Sequence, residues 1–331
     1  MYLMRNILVV GAGGRTGTLF AEELKRVSNV YGVAGKTTLP LIKDGKVFVE
    51  INGNIAKFEV NLIEPHEISQ IGDVDVLFLT TKNPVSPILK DYLHKISNLR
   101  YLILSQNGFS AGEDALKTVE EVYGSVPHSL RIIRLVLFNA VKESRDKDSV
   151  VISYKRPVRV AFGVFYGVSD TTELEDIFSS ASIEYTKVPD NEIKNMEFSK
   201  LFTNLIGIPS YSLGFDLYEG LRNKDSFTEE MLSLKEYIRV VKASGHRFLN
   251  FPHYPVTFFA GVIEYIPDTF LLPFRNYIAN IVLKLRGTKE KGNIDEIDYY
   301  TGAVVKLAKE LNIETPVNER VLRRIKYERN A

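Results

Sequence analysis

Near the start of the chain, Asn6–Val10 (NILVV) is a short apolar run that passes directly into Gly11-Ala12-Gly13-Gly14-Arg15-Thr16-Gly17. Such a run predicts a strand buried on both faces, as at the centre of a parallel sheet. Thr16 to Val27 follows, with Leu19, Phe20 and Leu24 at helical spacing. Few folds place a glycine turn between a buried strand and an amphipathic helix. Glycines there permit a tight turn and let backbone N–H groups approach a pyrophosphate, while the helix N-terminus adds donors and partial positive charge. The prediction is a dinucleotide site on Gly11, Gly13, Gly14, Arg15 and Thr16. The spacing departs from G-x-G-x-x-G by one place: position 16 is Thr16, and the next glycine is Gly17. A register like that of extended short-chain reductases also fits the turn, but no Tyr-x-x-x-Lys pair follows it.

The alternation continues. Val30–Ala34, Val74–Thr80 (VDVLFLT) and Arg100–Ser105 (RYLILS) read as further strands, and Lys46–Val49 with Ile55–Val60, flanking Asn52-Gly53, as an inserted hairpin. Strands that alternate with helices predict a doubly wound α/β sheet. Ile132–Leu137, Ser149–Tyr154 and Val158–Val164 are closely spaced and are expected to extend that sheet with antiparallel strands; Thr172 to Ala181 reads as helix. Beyond about Asp190 the pattern is nearly all helical, in Ile193–Gly207, Phe227–Ser244, Val256–Tyr265, Phe274–Leu285 and Ile294–Leu311. The shift predicts two domains, a dinucleotide-binding domain over 1–190 and a helical domain over 191–331, in keeping with a chain of 331 residues.

Composition narrows the function. With 45% hydrophobic and 25% charged residues the chain is not globally disordered, and a net charge of +1 offers no polybasic field for nucleic acid or an anionic membrane. The absence of cysteine excludes disulfides, thiolate nucleophiles and Cys-ligated metals. His66, His94, His128, His246 and His253 are scattered, so no metal site is expected. Phe258 to Leu285 is the longest apolar region, but Glu264, Asp268, Arg275 and Lys284 interrupt it, and it reads as a buried helical core rather than a membrane span. No targeting segment stands out, and a cytoplasmic address is expected.

Strand ends carry the remaining clues, because ligands of open α/β sheets bind outside the carboxyl ends of strands. Selection of NAD usually needs an acidic residue at the end of the second strand; here Val33, Ala34, Gly35 and Lys36 stand there. Lys36, with Arg15 in the turn, predicts NADP(H) over NAD(H). Thr80-Thr81-Lys82-Asn83-Pro84 and Gln106-Asn107-Gly108 close two further strands, and the Asn107 amide can donate and accept at once.

In order along the chain, GAGGRTG, TTKNP, SQNG, FSKLFTNLIGIPSYSLGF and DEIDYYTGAVVKLAKELNIETPVNERV resemble the ketopantoate reductase (2-dehydropantoate 2-reductase) family over almost the whole length. Glu296-Ile297-Asp298 with Gly302 carries the most specific part of the likeness. The resemblance implies a Rossmann-type domain followed by an all-α domain of the 6-phosphogluconate-dehydrogenase type. It implies NADPH-dependent reduction of 2-dehydropantoate to pantoate, on the way to pantothenate and coenzyme A. It places the catalytic lysine on Lys200, the catalytic glutamate on Glu296, substrate-binding asparagines on Asn107 and Asn204, and cofactor contacts on Thr81, Lys82 and Asn107. The chemistry suits these residues: a carbonyl reduced by hydride becomes an alkoxide, and an ammonium supplies both a proton and a positive charge.

Two positions depart from the family. Its substrate-binding serine falls on Lys284, with no serine anywhere after Ser244, and an asparagine eight residues after the lysine is replaced by Ile208. Thr288 is the nearest hydroxyl. Lys284, Arg286 or Lys289 is expected instead to pair with a substrate carboxylate, with Lys284 the first choice. The alternatives are a reductase of another 2-oxo acid and a nucleotide-binding protein without catalysis. The aromatic-rich helical region also leaves room for a homodimer.

Overall fold

The computed structural model describes residues 5–96, 98–286 and 294–330. The chain divides into two compact units, Met1–Gln106 with Ser110–Ile193, and Asn107–Phe109 with Lys194–Ala331.

The first unit runs β1 (Asn6–Val10), α1 (Arg15–Leu24), β2 (Asn29–Val33), α2 (Leu39–Lys43), β3 (Val47–Ile51), β4 (Asn54–Lys57), β5 (Asn61–Leu62), β6 (Val76–Leu79), α3 (Ser86–Leu93), β7 (Tyr101–Leu104), α4 (Ala111–Tyr123), β8 (Arg131–Leu137), β9 (Lys142–Arg145), β10 (Val150–Tyr154), β11 (Val158–Tyr166), α5 (Thr172–Ser180) and β12 (Ile183–Lys187). An eight-stranded sheet has the order β12-β11-β8-β7-β6-β1-β2-β5. β1 pairs in parallel with β2 on one side and β6 on the other, so the strand order reverses beside it. Both faces of β1 are covered. Ile7 and Val9 join Phe20 and Leu24 of α1, while Leu8 and Val10 join Leu89 of α3 and Val119 of α4. A strand apolar at consecutive positions is stable only between two such layers.

The expected extension of the sheet is half right. β8 pairs in parallel with β7, and β11 is antiparallel to β8. Ser149–Tyr154, however, does not extend this sheet. β10 pairs in parallel with β3 inside a separate sheet of order β4-β3-β10-β9, which also takes in the predicted hairpin. The reason lies in its alternation: Val150, Ile152 and Tyr154 are buried and the residues between them half-buried. A strand apolar on one face caps a layer rather than filling the middle of one. The buried face joins the α1 cluster, where the Tyr154 hydroxyl donates to Glu23 at 2.6 Å and Arg156 Nε donates to the same carboxylate at 2.8 Å.

The second unit holds α6 (Ile193–Leu205, from its second residue), α7 (Ile208–Ser212), α8 (Leu217–Arg222), α9 (Lys224–Ala243), α10 (Val256–Tyr265), α11 (Asp268–Leu271), α12 (Arg275–Arg286), α13 (Thr301–Glu310) and α14 (Pro316–Asn330). The 20-residue α9 buries Phe227, Leu234, Ile238 and Val241. It also buries three glutamates. Glu230 accepts from the Gly207 and Ser210 N–H groups at 3.0 and 2.9 Å, at the start of α7. Glu236 accepts from the Val317 and Asn318 N–H groups, each at 2.9 Å, in the first turn of α14. Glu229 pairs with Arg320 at 3.0 Å and with Arg324. Backbone donors at a helix start have no partner within the helix, and the Glu230 and Glu236 carboxylates supply one.

Two expectations change here. Ile294–Leu311 is not one helix: a 3-10 stretch over Ile294–Tyr299, non-helical at Glu296 (φ −102°, ψ 21°), precedes α13. Phe258 to Leu285 is not wholly buried. Val256, Ala260, Ile263, Leu271 and Ala279 face the core, while Phe258, Tyr265, Phe270, Phe274 and Tyr277 are exposed. Among the described residues no single helix is long and apolar enough to cross a membrane; Val256–Tyr265 and Asp268–Leu285 reach that length only as a pair bent by 115°.

Candidate active site

In the first unit the glycine turn is fixed against β2, with the Gly11 and Ala12 N–H groups both donating to Val33 O at 2.9 and 3.0 Å. Gly11 has φ +94°, a conformation side chains resist. A Cβ on Gly13 would lie 2.3 Å from Thr38 Oγ1, and one on Gly17 would lie 2.0 Å from Gly11 O. This settles the register left open by the sequence: Gly17 is the glycine that lets α1 approach β1. Gly14 is the exposed N-cap of α1 and has no side-chain cap, so the first N–H groups of Arg15, Thr16 and Gly17 remain for an anion. Arg15 is half-buried at the first position of α1, and exposed Lys36 stands three residues beyond β2.

The ends of β6 and β7 add a second feature. Gln106 is buried, and its Nε2 donates to Leu79 O and Thr81 O, both at 3.0 Å. Both partners are acceptors, so the amide orientation is fixed. Its Oε1 and the Thr81 Oγ1 are buried without a hydrogen-bond partner. Buried orphans of this kind are uncommon and call for a ligand group. Lys82 is exposed beside them. Beneath, fully buried Arg134 of β8 donates to Leu104 O and Gln106 O at 2.8 and 2.9 Å, holding the chain where the ladder of β7 ends. The turn, the anion-ready helix start and the orphaned polar atoms fit a dinucleotide.

In the second unit three predicted residues form one hydrogen-bonded chain. Asn204 Nδ2 donates to Asn107 Oδ1 at 3.0 Å, and Asn107 Nδ2 reaches Glu296 Oε2 at 3.4 Å. Since Asn107 Oδ1 is occupied as an acceptor, its amide group must face Glu296 as a donor. Glu296 is buried at the kink between the 3-10 stretch and α13. Lys200 is half-buried on α6, one turn before Asn204 and on the same face. Asn107 itself comes from the short loop after β7, and that loop is held throughout. Gly108 has φ +88°, and a Cβ there would lie 3.0 Å from Tyr299 O. Phe109 packs its ring 5.0 Å from that of Phe198, which in turn lies 4.9 Å from His246. Lys194 donates to Phe109 O and lies 3.3 Å from the buried Glu197 carboxylate. Burial, with Lys194 nearby, holds the His246 imidazole below its ordinary value, partly offset by Glu197.

Not every predicted residue joins a site. Lys284 is exposed on α12 and makes no ion pair or hydrogen bond among the described residues. Ile208 is packed in the core at 1% exposure. Thr288 and Lys289 lie outside the described residues. Sequence reasoning did not assign Gln106, Arg134, Lys194 or Glu197 a place. One signal was present: Arg134 is an arginine inside the apolar run IIRLVL. Among the described residues no group of three or more His, Asp or Glu side chains gathers as a metal site.

The first unit is a doubly wound sheet with a turn that fits a dinucleotide, and the helical unit that follows carries a lysine, two asparagines and a buried glutamate. The chain belongs to the ketopantoate reductase (PanE/ApbA) family, whose N-terminal profile matches residues 7–163 and whose C-terminal profile matches residues 231–328. The fold is similar to that of D-mandelate dehydrogenase with NADH and anilino(oxo)acetate (TM-score 0.73, 15% identity, 98% of each chain covered). It is also similar to 2-dehydropantoate 2-reductase from Geobacter metallireducens (TM-score 0.70, 15% identity, covering 98% of this chain and 99% of that one). A ketopantoate reductase of the family from Ralstonia eutropha compares at TM-score 0.69 and 15% identity, with 98% of each chain covered. No curated protein matches the sequence significantly.

Proposed function

We propose that the protein reduces 2-dehydropantoate to (R)-pantoate with NADPH, in the cytoplasm, as a step towards pantothenate and coenzyme A. The observation that carries this reading is the hydrogen-bonded chain Asn204–Asn107–Glu296 with Lys200 one turn away. A bound nicotinamide nucleotide supplies the hydride. Gly11, Gly13, Gly14, Arg15 and Thr16 hold its pyrophosphate, and Lys36 with Arg15 favours the 2′-phosphate of NADP(H). Thr81, Lys82 and Asn107 make further contacts to it. Lys200 donates the proton to the carbonyl oxygen of the substrate as charge develops there. Asn107 and Asn204 orient the oxo acid, and Glu296 accepts from the substrate hydroxyl while holding the Asn107 amide in one orientation.

A second reading keeps the chemistry and changes the substrate. It is favoured by Ile208, an apolar core residue where the family carries an asparagine, and by Lys284 in place of the serine. Loss of polar contacts relaxes selection for a hydroxylated side chain. The structural likeness to a D-mandelate dehydrogenase is in keeping with that range. The deciding experiment is NADPH oxidation with 2-dehydropantoate beside a panel of aliphatic and aromatic 2-oxo acids, repeated with NADH and with Lys200→Ala. Turnover on 2-dehydropantoate that collapses in the variant supports the first reading. Preference for another 2-oxo acid supports the second. Tight nucleotide binding with no turnover on any of them overturns both.

A further inference from the structure

The loop Asn107–Phe109 is held at a point that the proposed chemistry does not use. Asn107 bonds Asn204 and Glu296, and Gly108 lies against Tyr299 O. Phe109 is gripped separately, and both grips come from α6. Its carbonyl accepts from Lys194 Nζ, and its ring stands 5.0 Å from that of Phe198. Lysine heads normally stay in water. Here only 29% of the Lys194 side chain is exposed, and its ammonium lies 3.3 Å from the carboxylate of Glu197, whose side chain is fully buried. A buried ion pair adds little stability that a well-packed apolar pair would not. What the pair supplies beyond that is a charged donor of fixed direction, here aimed at the Phe109 carbonyl. Placement on the helix points the same way. Lys194, Glu197, Lys200 and Asn204 recur at intervals of three, three and four along one side of α6. The helix that carries the lysine and one partner of Asn107 therefore also holds the far end of the Asn107 loop.

We propose that Lys194 is a positioning residue for Asn107, and that Glu197 fixes Lys194 for that task. Two observations say why Asn107 needs such support. Gly108, between Asn107 and Phe109, has φ +88°, and a glycine hinge does not by itself set the direction of the residue before it. The bond from Asn107 Nδ2 to Glu296 is long, 3.4 Å, against about 2.7–3.2 Å for a strong N–H···O bond. With Phe109 clamped, the loop has little freedom left, and the Asn107 amide stays between Asn204 and Glu296. The inference rests on the reading of Asn107 as a residue that orients the oxo acid. Positioning of this kind acts on kcat, since a misplacement of about 1 Å costs on the order of a hundredfold.

Lys194→Met alone would leave a buried carboxylate and can lose the fold for that reason, so the test uses the double variant Lys194→Met with Glu197→Gln. It removes the donor to Phe109 O and the buried charge together. Amide hydrogen exchange, read by mass spectrometry in peptides spanning Asn107–Phe109, should quicken at least about fivefold, with exchange over α9 unchanged. This readout needs no substrate: unchanged exchange in the loop overturns the proposal, whichever 2-oxo acid the protein reduces, and even if it reduces none. On the preferred 2-oxo acid, kcat should fall about ten- to a hundredfold with KM for NADPH unchanged. In an Asn107→Ala background the same pair of substitutions should change kcat by less than about twofold, because Lys194 acts through the residue already removed. An equal fall in both backgrounds assigns the pair a general structural role and overturns the proposal, as does a rise in KM for NADPH with kcat intact.

Discussion

The two units solve the same problem, the satisfaction of backbone polar groups, in different ways. In the first, the strands satisfy one another along the ladder, and buried polar side chains are spent where a ladder ends. Arg134 is the example, with its donors on Leu104 O and Gln106 O. In the second, several short helices leave N–H groups that no ladder can absorb. Glu230 and Glu236 of α9 answer this by capping α7 and α14 from a distance. A parallel sheet can therefore be assembled from apolar runs and glycine turns, whereas a bundle of short helices needs acids in its core. The sites inherit this difference. The cradle of the first unit is shaped by side chains that are missing, at Gly13 and Gly17; the site of the second is made of side chains that bond one another.

The largest expected effect sharpens that contrast on the chemical side. Lys200→Ala should lower kcat by about 10²–10⁴-fold, as loss of a general acid does, with nucleotide affinity and melting temperature little changed. Next comes the helical scaffold. Glu236→Ala leaves the Val317 and Asn318 donors unpaired and should cost about 3 kcal/mol in chemical denaturation, while Glu236→Gln, which keeps one acceptor, should cost less. If the two variants are equally stable, capping from α9 is not what holds α14. Gly17→Ala should weaken nucleotide binding by about ten- to a hundredfold, because its methyl group would meet Gly11 O and force α1 away from the turn. Isothermal titration with NADPH reads this directly.

A smaller effect is expected at Lys36→Ala: KM for NADPH should rise about tenfold with KM for NADH unchanged, and an equal rise for both would remove Lys36 from cofactor selection. The smallest is a pH effect. Burial pushes the Glu229 carboxyl up, but Arg324 and Arg320 more than offset it and hold it below its ordinary value. A carboxylate lowered in the folded state adds stability that is present above its unfolded pKa and is lost as pH falls through the folded one. The stability gap between wild type and Glu229→Gln should therefore narrow from pH 6 downward, most steeply below about pH 4.5, in melting curves.

What the sequence disclosed follows the same division. β1, β6 and β7 are contiguous apolar runs, and the turn after β1 is glycine-rich; both are local signals, and the structure follows them. The pairing of β10 with β3 is a contact between segments about a hundred residues apart, which no local pattern reveals. The apolar buried face of α14 is only Val317, Val321 and Ile325 in a strongly charged segment, too weak a pattern to mark a helix. In the site, Lys200 and Asn204 share one helix and were legible as a pair. Gln106 was visible only as part of a turn, since its role depends on two carbonyls at and just beyond the end of β6. The anchoring of the 107–109 loop by Lys194 likewise joins residues 85 apart.

The grouping of Asn107–Phe109 with the second unit bears on how such a protein can be inherited or taken apart. A gene fragment covering 194–331 would encode Asn204 and Glu296 but not the asparagine that links them. A fragment ending at 193 would carry that asparagine with neither partner. No single cut returns two self-sufficient modules, so the units cannot be exchanged between relatives as simple cassettes. Each must be inherited with the other, and a change at Phe198 or Tyr299 is felt by a loop encoded about ninety to two hundred codons earlier.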